Sequence, residues 1–148
     1  MIISTKGRYT LRVMIYLAEH PTNGYIPIKE IADEQDMSKE YLNSILKVLV
    51  QNKMLTSLRG KGGGYKLNRR PDEYSVGSIL RIVEGDLAPV PCVTNAEPCP
   101  RADKCPSLPM WRKLDRLIND FFDGISLADL MDSPDGLSAI EKDSIAGA

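Results

Sequence analysis

Four glycines in six positions, Arg59-Gly60-Lys61-Gly62-Gly63-Gly64, set the character of the middle of the chain. Backbone this free neither continues a helix nor serves as a central strand, and it admits the positive φ that a tight reversal needs. Met54-Leu55-Thr56-Ser57-Leu58 precedes the glycines and Tyr65-Lys66-Leu67 follows them, both strand-like, so the stretch reads as the turn of a β-hairpin. Three segments of helical periodicity come before it, and three helices followed by a hairpin is the order of a winged helix.

The first segment, Tyr9 to Glu19, spaces Tyr9, Val13, Met14, Leu17 and Ala18 on one helical face and stops near His20-Pro21, before the turn Pro21-Thr22-Asn23-Gly24. The second runs from Ile28 to Gln35, with Ile28, Ile31 and Ala32 on one side. After a short turn at Asp36-Met37, Ser38 caps a third helix whose first turn holds Glu40, favourable to the dipole. Tyr41, Leu42, Ile45, Leu46 and Leu49 face inward there, while Lys39, Asn43 and Lys47 lie elsewhere. Beyond the hairpin Ser75 caps a fourth helix carrying Val76, Ile79, Leu80 and Val83.

From residue 86 to 109 the composition changes: six prolines (89, 91, 98, 100, 106 and 109) and all three cysteines fall in this stretch, which excludes a regular helix or central strand. A long amphipathic helix begins at Met110 and carries Trp111, Leu114, Leu117, Ile118, Phe121 and Phe122 before Gly124; Ser126 caps one more turn. The expected fold is therefore mainly α with a small β-hairpin: a winged helix-turn-helix domain over 1–85, a cysteine-containing sensor loop over 86–109, and a dimerisation helix with a short turn over 110–132. A disordered tail is expected over 133–148. The apolar face of the last long helix suits either intramolecular core or a homodimer interface.

In a winged helix the third helix enters the major groove and the wing reaches the backbone or the minor groove. The expected DNA-contacting residues are Ser38, Lys39, Glu40, Tyr41, Asn43 and Lys47 on the helix, with Arg59, Gly60, Lys61, Gly62, Gly63 and Gly64 in the wing. Charge is distributed accordingly: residues 1–80 hold twelve Lys/Arg against eight Asp/Glu, net +4, whereas 81–148 hold seven against twelve, net −5. Lys and Arg on a DNA-facing surface displace condensed counterions. A structural hairpin with incidental charge is the plainer alternative. A nucleotide phosphate loop does not fit the glycines, because Tyr65 stands where a second glycine is needed and the residues that follow are strand-like, leaving no helix N-terminus.

The cysteines stand at 92, 99 and 105, an odd number in one proline-rich loop, which fits a disulfide framework poorly. Converging thiolates suit an iron–sulfur cluster or zinc, and reversible thiol oxidation is also open. Structural zinc sites show closer Cys pairs and four protein ligands, so the long gaps favour a cluster. A fourth ligand is missing. His20, the single histidine, belongs to the end of the first helix; Asp103, Glu97, a partner-subunit residue, a small thiol and solvent are the other candidates.

With these pieces placed, the chain resembles the IscR/NsrR/RirA/CymR family of bacterial winged-helix regulators as far as about residue 132. The resemblance rests on Ser4-Thr5-Lys6-Gly7-Arg8-Tyr9, Ile28-Lys29-Glu30-Ile31-Ala32, Ser38-Lys39-Glu40-Tyr41-Leu42, and Leu58-Arg59-Gly60-Lys61-Gly62-Gly63-Gly64-Tyr65, together with the three-cysteine loop ahead of the Trp111 helix. It implies a homodimer joined through the long helix, a double-stranded and pseudo-palindromic DNA operator, and an iron–sulfur cluster on Cys92, Cys99 and Cys105 that sets DNA affinity. The histidine that iron–sulfur assembly regulators place three residues after the third cysteine is Leu108 here, and the acidic residue that nitric-oxide-sensing relatives place near position 8 is Arg8. Those departures favour 4Fe–4S over 2Fe–2S, with a non-cysteine or exchangeable fourth ligand. Asn43 stands where the assembly regulators carry an acidic residue that influences base choice.

A transcription regulator, often a repressor, that senses iron, nitric oxide, redox state or cluster supply is the function expected. A metal-free thiol switch and a protein partner in place of a cluster are the alternatives. No base–nucleophile constellation or cofactor fingerprint accompanies the single histidine, so an enzyme is not expected. No apolar run approaches the roughly 20 residues of a membrane span, and Met1 to Lys6 lacks a signal segment, so a cytoplasmic protein without membrane contact is expected.

Overall fold

The first helix, α1 (Thr5–Glu19), begins four residues ahead of its apolar periodicity, and the reason lies 80 residues away. In this computed structural model, which describes residues 3–94 and 99–131, the Ser4 hydroxyl caps α1 by accepting from the Gly7 N–H at 3.0 Å. The Glu84 carboxylate accepts from the Ser4 N–H at 3.0 Å and also from the Ser4 hydroxyl, which places negative charge at the positive end of the helix. A Cβ at position 7 would meet Glu84 Oε1, so glycine leaves room for that contact.

Helix α2 (Ile28–Gln35) ends at Asp36, whose left-handed backbone (φ 52°) turns the chain toward α3 (Lys39–Gln51). The Ser38 hydroxyl accepts from the Tyr41 N–H at 3.2 Å and starts α3 where the sequence places it. Strands β1 (Leu55–Leu58) and β2 (Gly64–Leu67) pair antiparallel, Leu55 opposite Leu67 and Leu58 opposite Gly64. Ile26 adds a short third edge: it exchanges two backbone hydrogen bonds with Tyr65, each 2.9 Å. Gly64 lies where a Cβ would run into the Ile26 backbone carbonyl, so this close approach requires glycine.

Tyr74 pins the base of the wing. Its buried hydroxyl accepts from the Asn68 and Arg69 N–H groups at 3.1 and 3.2 Å and donates to the Met54 carbonyl at 2.8 Å. Ser75 then caps α4 (Val76–Glu84), its hydroxyl accepting from Ser78 N–H at 3.0 Å. Helix α5 (Leu108–Asp123) starts two residues before the expected Met110. Pro109 falls in its first turn, where no N–H is needed, so a residue that reads as loop in the sequence is helical. The described part of the preceding loop holds only two short 3-10 turns, Pro91–Val93 and Ala102–Lys104, as its proline content predicts. Ser126 and Asp129 cap each other's N–H at the start of α6 (Leu127–Met131). The tail expected over 133–148 lies outside the described residues.

One core joins Val13, Met14 and Leu17 of α1, Ile31 of α2, Leu42, Ile45, Leu46 and Leu49 of α3, Leu55 of β1, Ile79 of α4 and Leu127 of α6. Each such side chain contributes about 1.5–3 kcal/mol on burial. A second cluster, Val76, Leu80 and Leu87, receives Ile118 and Phe122 from α5. The apolar list of that helix therefore divides: Ile118 and Phe122 pack inward, while Leu114, Leu117 and Phe121 stay exposed together with Met110.

Candidate nucleic-acid interface and cysteine loop

Four-residue spacing along α3 sets Lys39, Asn43 and Lys47 in one exposed row, with Glu40 and Ser38 exposed at the helix start. Leu42, Ile45, Leu46 and Leu49 bury the opposite face, so the row cannot turn inward without exposing the core. Tyr41 is half-buried between the two faces and meets the Tyr9 ring edge-on, centroids 5.8 Å apart at 87°. The sequence expectation of a wholly inward Tyr41 is thus too strong. The phenol sits at the margin of the exposed row.

At the wing tip Gly60 and Gly62 adopt φ of 90° and 75°, and the Gly63 N–H closes the turn on the Gly60 carbonyl at 3.0 Å. Arg59, Gly60, Lys61 and Gly62 are exposed, and Gly63 and Gly64 are half-buried at the return of the strand. Among the described residues neither Arg59 nor Lys61 has a carboxylate partner, and the same holds for Lys39 and Lys47. These four cations are available to phosphate, which is the chemistry of a nucleic-acid surface.

The cysteines follow the winged-helix unit in the chain. Cys92 is exposed within the turn Pro91–Val93, which packs against α5, and Cys99 and Cys105 are half-buried. All three are free thiols. The Ser107 hydroxyl lies 3.3 Å from Cys105 Sγ, and hydrogen bonding from it holds the Cys105 thiol below its ordinary pKa. Three accessible thiols, one biased toward thiolate, form a donor set chemically suited to an iron–sulfur cluster. Among the described residues, however, no three Cys, His, Asp or Glu side chains converge within reach of one metal ion.

The fourth-ligand candidates separate. His20 is held at the end of α1, its Nδ1 2.8 Å from the Tyr16 carbonyl and its ring against Tyr16. Leu108 is buried at the start of α5 and offers no donor, and Asp103 is exposed within the turn Ala102–Lys104. Glu97 lies outside the described residues. Nothing in the sequence pointed to the Ser107–Cys105 contact except the Cys-x-Ser spacing itself.

Comparison with known proteins matches residues 3–133 to the Rrf2 family, described as an iron-dependent transcriptional regulator. The transcriptional regulator IscR of Aliivibrio salmonicida is 35% identical over 131 residues, 88% of this chain and 77% of that protein. Among solved structures, CymR (YrzC), the global cysteine regulator of B. subtilis, is 34% identical with a TM-score of 0.71, covering 88% of this chain and 96% of that one. An oxidized form of Staphylococcus aureus CymR is also 34% identical, with a TM-score of 0.67 over 89% of this chain and 97% of that one.

Proposed function

The chain belongs to the Rrf2 family of transcriptional regulators, and from that premise we propose that it works as a homodimer on a double-stranded, pseudo-palindromic DNA operator, with an iron–sulfur cluster on Cys92, Cys99 and Cys105 setting its affinity. The observation that carries the DNA reading is the combination of an exposed Lys39–Asn43–Lys47 row on α3 with Arg59 and Lys61 at the wing tip, which have no carboxylate partner among the described residues. With α3 in the major groove, Asn43 presents a donor and an acceptor that match the adenine edge, and the wing lies along the neighbouring backbone or minor groove. Gly60 and Gly62, without side chains, let the wing backbone approach closely.

A dimer accounts for the stripe on α5. Met110, Leu114, Leu117 and Phe121 recur every three or four residues and are 56%, 37%, 58% and 47% exposed. A second copy of the same helix covers such a stripe by two-fold symmetry, and two-fold symmetry places two copies of α3 on two half-sites.

For the cysteine loop, the donor chemistry supports a cluster held by Cys92, Cys99 and Cys105. The buried Leu108 and the cationic Arg8 leave the fourth position to a non-cysteine or exchangeable ligand, which favours 4Fe–4S. When bound, such a group supplies iron that responds to oxidants, nitric oxide or iron supply. The turn Pro91–Val93 packs on α5, so a change in the loop reaches the helix assigned to the dimer. A metal-free thiol switch is the second reading, supported by the thiolate-biased Cys105 and by similarity to a CymR solved in oxidized form.

Enrichment of duplexes from a randomised pool tests the DNA reading. Recovery of a two-fold symmetric motif is expected, with Asn43→Ala shifting base preference and Arg59→Ala weakening binding by about 1–3 kcal/mol. Failure to enrich any motif contradicts it.

A further inference from the structure

Three contacts converge on the turn that joins α2 to α3. The Arg12 Nη2 donates to the carbonyl of Gln35, the last residue of α2, at 2.8 Å. The same guanidinium lies over the Tyr9 ring, 4.9 Å from its centroid. Tyr9 in turn meets Tyr41, in the first turn of α3, edge to face. Between the two anchored points lies Asp36, a non-glycine residue at positive φ. One exposed side chain of α1 thereby holds the end of α2 directly and the start of α3 through two rings in edge-to-face contact.

We propose that Arg12 is a positioning residue for the recognition helix: through Tyr9 and the Gln35 carbonyl it fixes the α2–α3 turn and sets the Tyr41 phenol at the edge of the DNA-facing row. The inference rests on the DNA-binding reading above. Its physical content is that Arg12 acts as a clamp within the protein. A guanidinium suits the place because it is planar for the ring and forked for the carbonyl, and a cation is favoured at the negative end of α2. Tyr41 needs such a clamp because α3 reaches DNA by its first turns, where a small rotation displaces every polar tip.

The test is a double-mutant cycle on the full-length protein, using the duplex enriched by the wild type. Arg12→Met weakens binding about tenfold in the wild-type background, and less than about threefold when Tyr41→Phe has already removed the phenol hydroxyl. Arg12→Lys, which keeps the charge but loses the planar fork, leaves most of the loss in place, whereas a direct phosphate contact would tolerate it. Tyr9→Leu reproduces the Arg12→Met loss although it removes no charge, so the salt dependence of binding stays unchanged in it. An equal loss in both backgrounds, with a salt slope smaller by about one, makes Arg12 a direct phosphate contact and overturns the proposal. Unchanged binding by a folded Arg12→Met protein overturns it as well. Failure of the wild type to bind any enriched duplex removes the DNA-binding reading, and the inference falls with it.

Discussion

Arg81 grips Asp123 with both ends of its guanidinium, Nη1 2.7 Å from Oδ1 and Nη2 3.0 Å from Oδ2, while Nη2 also reaches Asn119 Oδ1 at 2.6 Å. The contact fastens α4, which closes the winged-helix unit, to the end of α5. Gly77 makes it possible, since a Cβ there would meet the Asp123 carboxylate. The Asp123 carboxylate holds the Arg81 proton more firmly than usual, chiefly through that hydrogen bond.

Arg81→Met is expected to lower thermal stability by about 1 kcal/mol, less at high salt, because both partners are partly exposed. Asp123→Asn in the same background should add little. Thermal melts of the two single variants and the double variant measure the coupling; full additivity shows that the pair is independent.

Replacing Leu117 or Phe121 with Glu puts a charge in the middle of the exposed stripe on α5. Monomeric protein with an intact helical spectrum is expected, since neither residue belongs to the core cluster beneath. Sedimentation at micromolar concentration reads the result. A dimer that survives both substitutions places the interface elsewhere.

Cys105 should be the most readily alkylated thiol at neutral pH in metal-free protein. Its pKa is lowered chiefly by the Ser107 hydroxyl, so thiolate is present at a lower pH than for an ordinary thiol. Removing that hydroxyl moves the midpoint up. In a protein with Cys92→Ser and Cys99→Ser, the iodoacetamide rate-against-pH curve shifts to higher pH on Ser107→Ala; a curve that stays put assigns the reactivity to another cause.

Gly64→Ala should destabilise the wing by about 1–3 kcal/mol, because its methyl group has only the Ile26 backbone to enter. Gly60→Ala meets no atom within 4 Å and suffers only from its φ of 90°, so its loss should be smaller. Chemical denaturation compares the two, and equal losses contradict the steric account.

Helix positions were legible in the sequence where local chemistry decides them. Ser38 and Ser75 cap where they stand because the hydroxyl-to-N–H bond spans three residues. The start of α1 was not legible, because Glu84 supplies part of its cap from a distant helix and Gly7 hides the helical pattern. Periodicity on α5 announced an apolar face but could not divide Ile118 and Phe122 from Leu114, Leu117 and Phe121, since that division depends on where α4 lies. The exposed placement of Lys39, Asn43, Lys47 and the wing tip followed from pattern, whereas the Arg12–Tyr9–Tyr41 contact joins two helices and leaves no trace in spacing. For the cysteines the sequence supplies the donors, and proximity in the chain does not make them converge.

Iron and acid-labile sulfide in anaerobically purified protein, measured beside Cys92→Ala, test the sensing claim most directly. Iron and sulfide are expected in similar amounts in the wild type, both lost in the variant while the fold and the dimer persist. Absence of both from the wild type after anaerobic reconstitution would contradict it and leave a DNA-binding regulator whose thiols sense without a cluster.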